Sequence, residues 1–485
     1  MKVQTESLKS RIAKIPMAMV VVPFAVGIFV VDGYTLPLWL LISACTVSVV
    51  GVILLKKRWQ LLALLVALMT TGGLIHSVSF RGEIPYNTPL EMGIRVESSS
   101  VDRKGYTSAE AKIEECELAE LVERKIALWG DSLIHFRAGD RLHITTPIRP
   151  FRAERERYAK LMHHRGFVGS ITVNHRATYS YIPTEGNTLH DWAVERLQGA
   201  LSEGDGRAVV LAMTTGERGE IREALRQSYS ASGASHLLAV SGLHIGIAFM
   251  LINLLLLPLV LLRHGNVVRS VVAITLIWLY VWLCGMSPSA VRAAIMFSLL
   301  QFSLSSLREY VSVNILAGTA FAMLALDSHL LFDISFQLSF IAVAGIILWA
   351  MPLYRLCATR FKAINILLGI MLVGLASTIA TMPLVSHSFA TLSAVGILIN
   401  PAVVLLANVI VLAGVVALAI PPVGIVAECV AEWQNSIVEW AASLPYSHFD
   451  FSISEGAMWG IYALYAVVTI LIFSIPRKKK EVKIE

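Results

Sequence analysis

Polar residues with the capacity for chemistry open a long apolar run in the stretch Ser235–Ile247, SHLLAVSGLHIGI. His236, Ser241 and His244 stand where a membrane helix is normally aliphatic, and polar groups persist at membrane depth only when they are buried in protein or line a water-filled path. Gly242 and Ser241 also disfavour a helix interior. The stretch therefore predicts either the wall or mouth of a polar path, or a helix N-terminus in the headgroup region.

A second polar set lies in later apolar runs. Arg292 at mid-bilayer would cost about 2.5–3.5 kcal/mol, so we expect it to reach an interface, face a pore, or pair with Asp327 or Asp333. Asp333 and Gln337 are one helical turn apart and share a face, and Asp333 is also a good N-cap. The whole set is poor in acids. It favours an anionic substrate, since a cation channel needs acidic rings.

Basic and aromatic residues alternate in one polar segment, a pattern that suits single-stranded nucleic acid because cations follow phosphates and rings stack on bases. The candidate residues for this contact are Arg149, Arg152, Arg155, Arg157, Tyr158, Lys160 and Arg165. A solvated helix face, or a face against anionic lipid, is the alternative. Arg218, Arg222 and Arg226 recur every four residues and predict one basic helix face, which would attract phosphate at a pore entrance and do little in water.

Composition predicts the class of protein that carries these groups. Hydrophobic residues make up 56% of the 485 residues and charged residues only 15%, whereas a soluble chain carries about 25% charged residues. We expect an α-helical polytopic membrane protein with one polar insert. The net charge of +6 relates to topology more than to ligand binding. Cys116 is the single cysteine of the insert, which excludes a disulfide within it.

Three apolar runs precede the insert, at Pro16–Val31, Leu36–Leu55 and Leu61–Val78. Their lengths suit a hydrocarbon core of about 30 Å. Lysine and arginine residues before the first run and between the second and third predict a cytoplasmic N-terminus. Three crossings then place the insert outside the cytoplasm.

The insert, residues 80–206, has alternating segments typical of half-buried strands. They are Met92–Glu97, Ala109–Leu118, Ser132–Phe136, Asp140–Thr145 and Gly169–Asn174. A helix-capable stretch, Ala153–Arg165, precedes the last of them. Five short strands with a helix before the last predict a small closed β-barrel such as an OB-fold.

The remaining chain is predicted to be almost entirely membrane helix after a connector that lies in the interface. The apolar runs are Leu237–Leu262, Val267–Cys284, Val291–Leu304, Val313–Leu326, Ile334–Pro352, Ile364–Pro383, Val395–Ile420 and Met458–Ile475. The basic tail, Arg477–Lys480, is expected in the cytoplasm, which leaves one crossing too many. A re-entrant pair of half-helices, broken at Pro383 or Pro401, would resolve the count.

Four strings appear in order and carry a family resemblance. They are HLLAVSGLHIG, SPSAVRAAIM at Ser287–Met296, FDISFQLSFIAVAGI at Phe332–Ile346, and TMPLVSHSF at Thr381–Phe389. Together they resemble the ComEC family of competence proteins over roughly Gly206–Leu444. The resemblance implies a bacterial inner-membrane channel for uptake of single-stranded DNA in natural transformation, with an OB-like domain outside. The string ERERYAKLMHHRGF replaces the family's FDY-type string, so residue roles in that domain are not transferred.

Several motifs of enzymes are missing from the sequence. It has no HxHxDH-type cluster such as the metallo-β-lactamase-like domain of many family members would need, no zinc-ligand spacing and no Walker loop. We therefore expect no enzyme activity, cofactor or metal. The resemblance implies partners instead: membrane lipid, a DNA receptor outside, a helicase-like ATPase inside and a separate nuclease, with the oligomeric state open.

The expected domains follow from these patterns. They are three N-terminal helices at 1–79, an extracytoplasmic OB-like domain at 80–206, an amphipathic connector at 207–234, a competence-type channel domain at 235–456, and a last helix with a cytoplasmic tail at 457–485. Two other functions stay open on the same residues. One is transport of another anionic solute, and the other is a membrane-anchored DNA-binding module.

Overall fold

The computed structural model describes most of the chain. The described residues are 16–34, 36–79, 84–101, 107–130, 136, 139–151, 159, 162–173, 179–182, 188–305, 312–389, 391–445 and 448–474. They form two compact units. The sheet unit comprises the described residues of Val20–Trp192 and Phe321–Phe336, and the helical unit those of Met1–Met19, Ala193–Ala320 and Gln337–Glu485.

Three apolar helices begin the chain, as predicted: α1 (Pro16–Gly33), α2 (Leu38–Leu54) and α3 (Lys57–Ser79). Helices α1 and α3 approach each other through glycines. A Cβ atom added to Gly27 would overlap the carbonyl oxygen of Met69. Small residues allow this backbone contact between membrane helices, where packing rather than hydrophobicity drives association.

Six strands follow the three helices and form one sheet in the order β5-β3-β2-β1-β4-β6. Their bounds are β1 (Pro89–Val101), β2 (Thr107–Cys116), β3 (Lys125–Gly130), β4 (Arg141–Pro147), β5 (Phe167–Val173) and β6 (Tyr179–Ile182). Strands β3 and β5 are parallel, and the other pairs are antiparallel. Every second residue of β2 from Thr107 to Ile113 is buried, because alternate side chains face the apolar interior.

The sheet curls. Arg149, two residues after β4, forms a bridge with Ser170 of β5. The two backbone hydrogen bonds measure 2.9 Å and 2.8 Å. This bridge brings the β5 edge of the sheet toward the end of β4 and encloses a core that includes Ile113, Leu128 and Ile144.

Two strands differ from the sequence predictions. The third strand is β3, whereas the predicted strand at Ser132–Phe136 lies outside the described residues except for Phe136. Strand β3 lacks alternation because both of its faces are covered: Ala127 packs against Phe151 and Phe167 on the face away from the main core. Strand β6 was also missed, and it pairs with β4.

The rest of the described chain is mainly helical. Its helices are α4 (Thr188–Gln198), α5 (Asp205–Thr214), α6 (Glu223–Ala231), α7 (Gly242–Leu255), α8 (Gly265–Leu283), α9 (Pro288–Ser305), α10 (Ser312–Leu326), α11 (Ile334–Gly345), α12 (Met351–Cys357), α13 (Lys362–Phe389), α14 (Ala394–Ala419), α15 (Gly424–Ser443) and α16 (Glu455–Ser474). Short 3₁₀ turns at Ser235–Leu238 and Ser328–Phe332 precede α7 and α11.

Helices α5, α14 and α15 build the core of the helical unit. Val210, Val403 and Val438 are each fully buried there. Helix α15 buries alanines at a helical period on one face and exposes Trp433 and Trp440, which suits an interfacial position.

Both internal prolines of the later helices are accommodated without a break. Helix α13 continues through Pro383, and α14 continues through Pro401. The predicted half-helices at these prolines are therefore wrong. Membrane helices tolerate proline when neighbouring groups satisfy the freed carbonyls.

Six helical segments among the described residues are long and apolar enough to cross a membrane. They are Pro16–Gly33, Trp59–Val78, Gly265–Leu283, Ile334–Cys357, Ile364–Phe389 and Leu398–Ala419. Shorter apolar helices include α2, α7, α9, α10 and α16. The chain is a multi-pass membrane protein with a curled sheet near its N-terminal helices.

Candidate functional site

Helices α7 and α9 lie side by side and point the same way. A Cβ atom on Gly242 would lie 3.8 Å from Ala293, and one on Gly246 would lie 3.1 Å from Phe297. One turn further, Phe249 stacks on Phe297 with a centroid distance of 4.8 Å. From Gly242–Ala293 to Gly246–Phe297 the contact advances by four residues on each helix, so the start of α7 is level with the first turns of α9.

His244 lies at this shared end and is fully buried. The backbone N–H of Ser241 donates to its Nδ1 over 3.3 Å. An imidazole nitrogen that accepts a hydrogen bond carries no proton, so the neutral ring carries its proton on Nε2. That Nε2 has no hydrogen-bond partner. The helix pair thus holds a buried N–H donor without an acceptor.

Positive charge accumulates at the same level. Arg292 precedes Ala293 on α9 and is 3% exposed. The N-terminus of α7 adds the positive end of a helix dipole. The hydroxyl of Ser287, the residue before α9, also lacks a partner. Backbone N–H groups, a guanidinium and a donor imidazole form a set that suits an anion.

The other residues predicted for the path lie in different surroundings. His236 is on the exposed side of the turn Ser235–Leu238. Asp333 caps α11, since it accepts a hydrogen bond from the Phe336 N–H over 2.9 Å, as the N-cap interpretation predicts. Gln337 is half-buried in the first turn of the same helix.

The two carboxylates predicted as partners of Arg292 are bound to other cations. Asp327 contacts the Lys125 Nζ at 2.9 Å, and Asp333 contacts Arg165 at 3.2 Å. The sequence offered no signal for these pairs, because Lys125 and Arg165 are remote from both carboxylates along the chain.

Among the basic residues predicted to bind nucleic acid, Arg152, Arg155, Arg157, Tyr158 and Lys160 lie outside the described residues. Arg149 is exposed beside β5. Arg165 is engaged by Glu110 and Asp333 and lies over the ring of Phe167. Its charge is already neutralised within the protein.

The predicted helix face with three arginines is wrong. Helix α6 begins at Glu223, so Arg226 alone of the three is inside it. Arg222 is the N-cap residue and forms an ion pair with Asp205. Arg218 lies in the preceding loop. The spacing of four residues does not put the three arginines on one helix face, because Arg222 has the extended backbone of an N-cap and the helix begins only after it.

Two polar clusters were not predicted. In the helical unit, the buried Tyr229 hydroxyl donates to Asn435 over 2.8 Å and accepts from Gln434 over 2.9 Å, and burial raises the pKa of this phenol. In the sheet unit, Asp32 lies between His76 and His164. The signal for this second cluster was present, since Asp32 and His76 are ionisable residues at the ends of apolar runs.

The fold and this site define the class: a multi-pass membrane protein with buried polar groups among its helices. The family model described as Competence protein matches residues 213–478. This is more than half of the chain, which therefore belongs to the competence protein family. The resemblance carried by the four sequence strings is confirmed.

The chain is 28% identical to ComE operon protein 3 of Bacillus subtilis (strain 168), over 44% of this chain and 26% of that protein. It is 28% identical to an uncharacterized protein of Aquifex aeolicus (strain VF5), over 45% of this chain and 49% of that protein. The uncharacterized protein YcaI of Escherichia coli (strain K12) is 28% identical over 32% of this chain and 21% of that protein. The matches span half or less of each relative. No solved structure matches the chain.

Proposed function

We propose that the chain forms a channel for single-stranded DNA in the bacterial inner membrane during natural transformation. The observation that carries the proposal is the shared end of α7 and α9, where His244 offers a buried N–H without a hydrogen-bond partner and Arg292 is buried in the first turns of α9. Membership of the competence protein family, and likeness to a protein named ComE operon protein 3, support a role in DNA uptake.

The chemistry of the site favours a phosphate over a neutral or cationic solute. A phosphodiester supplies acceptors and negative charge, and the site supplies donors and positive charge. A buried donor without a partner costs about 1–3 kcal/mol. A passing phosphate would recover that cost transiently, as conduction requires.

We propose an OB-like barrel for the sheet domain. The parallel β3–β5 pair, the antiparallel β1–β4 pair and the Arg149–Ser170 bridge support this assignment, because they curl strands β1 to β5 toward the five-stranded, partly open barrel of an OB-fold. Strand β6 would then be an addition to that barrel at the edge of β4. In this role the domain, with the neighbouring segments of residues 80–206, guides the strand toward the helices from outside the cytoplasm. Arg149 remains an exposed candidate for phosphate contact.

The orientation rests on charge. Lys56, Lys57 and Arg58 lie at the junction of α2 and α3, and helix ends rich in lysine and arginine stay in the cytoplasm. On this ground we propose that residues 80–206 lie outside the cytoplasm and the N-terminus inside, and the basic residues Arg477–Lys480 support a cytoplasmic C-terminus by the same rule. The proposed domains are 1–79, 80–206, 207–234, 235–456 and 457–485.

We propose that the chain itself is not an enzyme. A DNA receptor would deliver the strand from outside, a helicase-like ATPase would draw it inward, and a separate nuclease would degrade the second strand. These partners fit a chain with no Walker loop and no HxHxDH-type cluster in its sequence.

The experiment measures labelled DNA in the cytoplasm of cells that carry Arg292→Ala, with protein abundance in the membrane measured in parallel. Arg269→Ala is the matched control, because Arg269 is another arginine on a membrane helix and donates to the carbonyl oxygen of Asn253. We expect uptake to fall at least about tenfold in Arg292→Ala, the loss of one charge-assisted hydrogen bond, and to stay near wild type in Arg269→Ala.

Unchanged uptake in Arg292→Ala at normal abundance would overturn the channel assignment and favour a membrane-anchored DNA-binding module. Normal transformation in a clean deletion would exclude DNA as the substrate. Changed accumulation of another anion in Arg292→Ala, without a DNA phenotype, would instead support a transporter on this scaffold.

A further inference from the structure

A chain of hydrogen-bonded polar side chains joins four segments of the sheet unit. Asp32 of α1 contacts His76 of α3 at 3.3 Å and His164, just before β5, at 2.6 Å. His76 Nδ1 bonds to the Ser328 hydroxyl at 2.9 Å. We name this set, with His329, the histidine latch.

The side chains of the histidine latch pack against each other and against neighbouring residues of the sheet unit. His76 and Ser328 are 2% and 1% exposed. His329 Nδ1 donates to the carbonyl oxygen of His164 over 3.1 Å. The ring of Phe332 stacks on His164 at 5.0 Å. The curled sheet, the N-terminal helices and the turn Ser328–Phe332 therefore meet at one network.

The proton positions follow from the bonds. Each oxygen of an ionised Asp32 accepts one imidazole N–H, from His164 Nδ1 and from His76 Nε2. His76 Nδ1 is then free of a proton and accepts from Ser328. When both imidazoles are neutral, all of these hydrogen bonds are formed. The negative charge of Asp32 then lies between two rings, each of which can accept one proton.

His164 and His76 differ in how readily a proton from solvent reaches them. The side chain of His164 is 40% exposed, so water reaches it. His76 is enclosed, its ring lies 4.9 Å from that of His329, and a second proton would break the bond from Ser328. Among the described residues no group of three or more His, Cys, Asp or Glu side chains is placed to hold a metal ion.

We propose that the histidine latch is a proton-binding site that tightens the hold between the curled sheet and its membrane helices when His164 takes up a proton. The proton converts the 2.6 Å hydrogen bond between His164 and Asp32 into an ion pair. Bonds between two charged partners are roughly twice as strong as neutral ones.

The charged groups around the latch leave Asp32 as the counter-ion of His164. Lys125 is bound to Asp327, and Arg165 is bound to Glu110 and Asp333. Burial, and then the neighbouring His163–His164 repulsion, lowers the pKa of His163. Burial, followed by His76 and opposed by Asp327, lowers the pKa of His329 to about 4, so His329 stays neutral above that pH.

The test is amide hydrogen exchange of the turn Ser328–Phe332 in the purified full-length protein, between pH 8 and pH 5.5. Wild type is compared at each pH with His164→Gln, which keeps an N–H donor but takes no proton. The ratio of the two rates cancels the intrinsic pH dependence and the contribution of His329. His143→Gln is the matched control, because His143 is an exposed histidine on β4.

We expect protection of the turn in wild type, relative to His164→Gln, to rise about fivefold as the pH falls, which is the gain from making a hydrogen bond ionic. His143→Gln should behave as wild type, and Asp32→Asn should abolish the rise. A ratio that stays constant with pH would overturn the proposal. If Asp32→Asn fails to fold, His164→Gln alone decides. The result does not depend on DNA transport.

Discussion

The two units of the molecule treat buried polar groups in opposite ways. In the sheet unit, Asp32, His76 and Ser328 form a connected hydrogen-bonded set. In the helical unit, His244 Nε2 and the amide oxygens of Asn400 and Asn408 are buried without partners. Among the described residues, every buried side-chain nitrogen or oxygen atom without a hydrogen-bond partner belongs to the helical unit. Satisfied polar sets specify one structure, whereas unsatisfied ones mark places where a solute or water belongs.

The largest effect on stability is expected from Asp32→Ala. It removes the carboxylate that accepts from the buried His76 and from His164, whose side chain is 40% exposed. A hydrogen bond to a charged group contributes about 1.5–3 kcal/mol, and water replaces part of the bond to His164, so we expect a loss of roughly 2–4 kcal/mol. The measurement is thermal unfolding of the purified protein in detergent. Asp191→Ala, an exposed acid on α4, should stay within about 0.5 kcal/mol of wild type. Equal melting of both variants would show that the latch contributes no stability.

The acid sensitivity of the sheet unit provides a second test. The pKa of His329 is lowered to about 4 in the folded protein, against 6.5 in the unfolded chain. The unfolded state then binds more protons, so the stability from His329 is complete above pH 6.5 and falls as the pH drops through this window. Between pH 6.5 and 5 we expect wild type to lose about 2 kcal/mol more than His329→Gln. The exposed His143→Gln should retain the wild-type loss, and a loss that persists in His329→Gln would refute the assignment.

Tyr229→Phe examines a satisfied polar group within the helical unit. Removing the hydroxyl leaves the amides of Gln434 and Asn435 short of one bond each in a buried site. We expect a cost of about 1–3 kcal/mol, measured by thermal unfolding in detergent. Tyr34→Phe serves as control, since Tyr34 is 70% exposed. If Tyr229→Phe leaves the stability unchanged, these amides find other partners. The two units would then differ in where their polar groups lie and not in whether those groups are hydrogen-bonded.

His244→Leu should separate stability from function. Replacing the imidazole with a side chain of similar size removes the desolvation cost of the unsatisfied Nε2 but also the bond that Nδ1 accepts from the Ser241 N–H. The two effects oppose each other, so we expect stability to change by less than about 1 kcal/mol. Uptake of labelled DNA should nevertheless fall about tenfold or more, the value of one lost charge-assisted contact. Ile245→Leu, the buried neighbour on α7, is the control for packing. A strongly destabilised His244→Leu would assign the imidazole to the fold and not to the path.

The extent of sequence prediction follows the same contrast. The membrane helices and the position of His244 in a polar stretch were predictable because hydrophobic period and local composition are local properties. Strand β3 was not, because tertiary cover on both of its faces erases the alternation. The pairs Lys125–Asp327 and Arg165–Asp333 join residues far apart in the chain. No spacing rule could have indicated them, and they removed the carboxylates expected beside Arg292.

The smallest effect is expected from Arg222→Ala. Its regular spacing with Arg218 and Arg226 suggested a phosphate-binding face, but its guanidinium is an exposed N-cap group paired with Asp205. Exposed ion pairs add little to stability because water screens the charges and the side chains lose freedom, and a paired guanidinium offers little net attraction to phosphate. We expect thermal unfolding and DNA uptake both to match wild type. Arg226→Ala, which replaces the arginine inside α6, is measured alongside. A fall in uptake specific to Arg222→Ala, at normal protein abundance, would mean that phosphate displaces Asp205 from the arginine. The DNA path would then include the connector 207–234 as well as the shared end of α7 and α9. An internally paired charge could no longer be taken as a sign of a purely structural role.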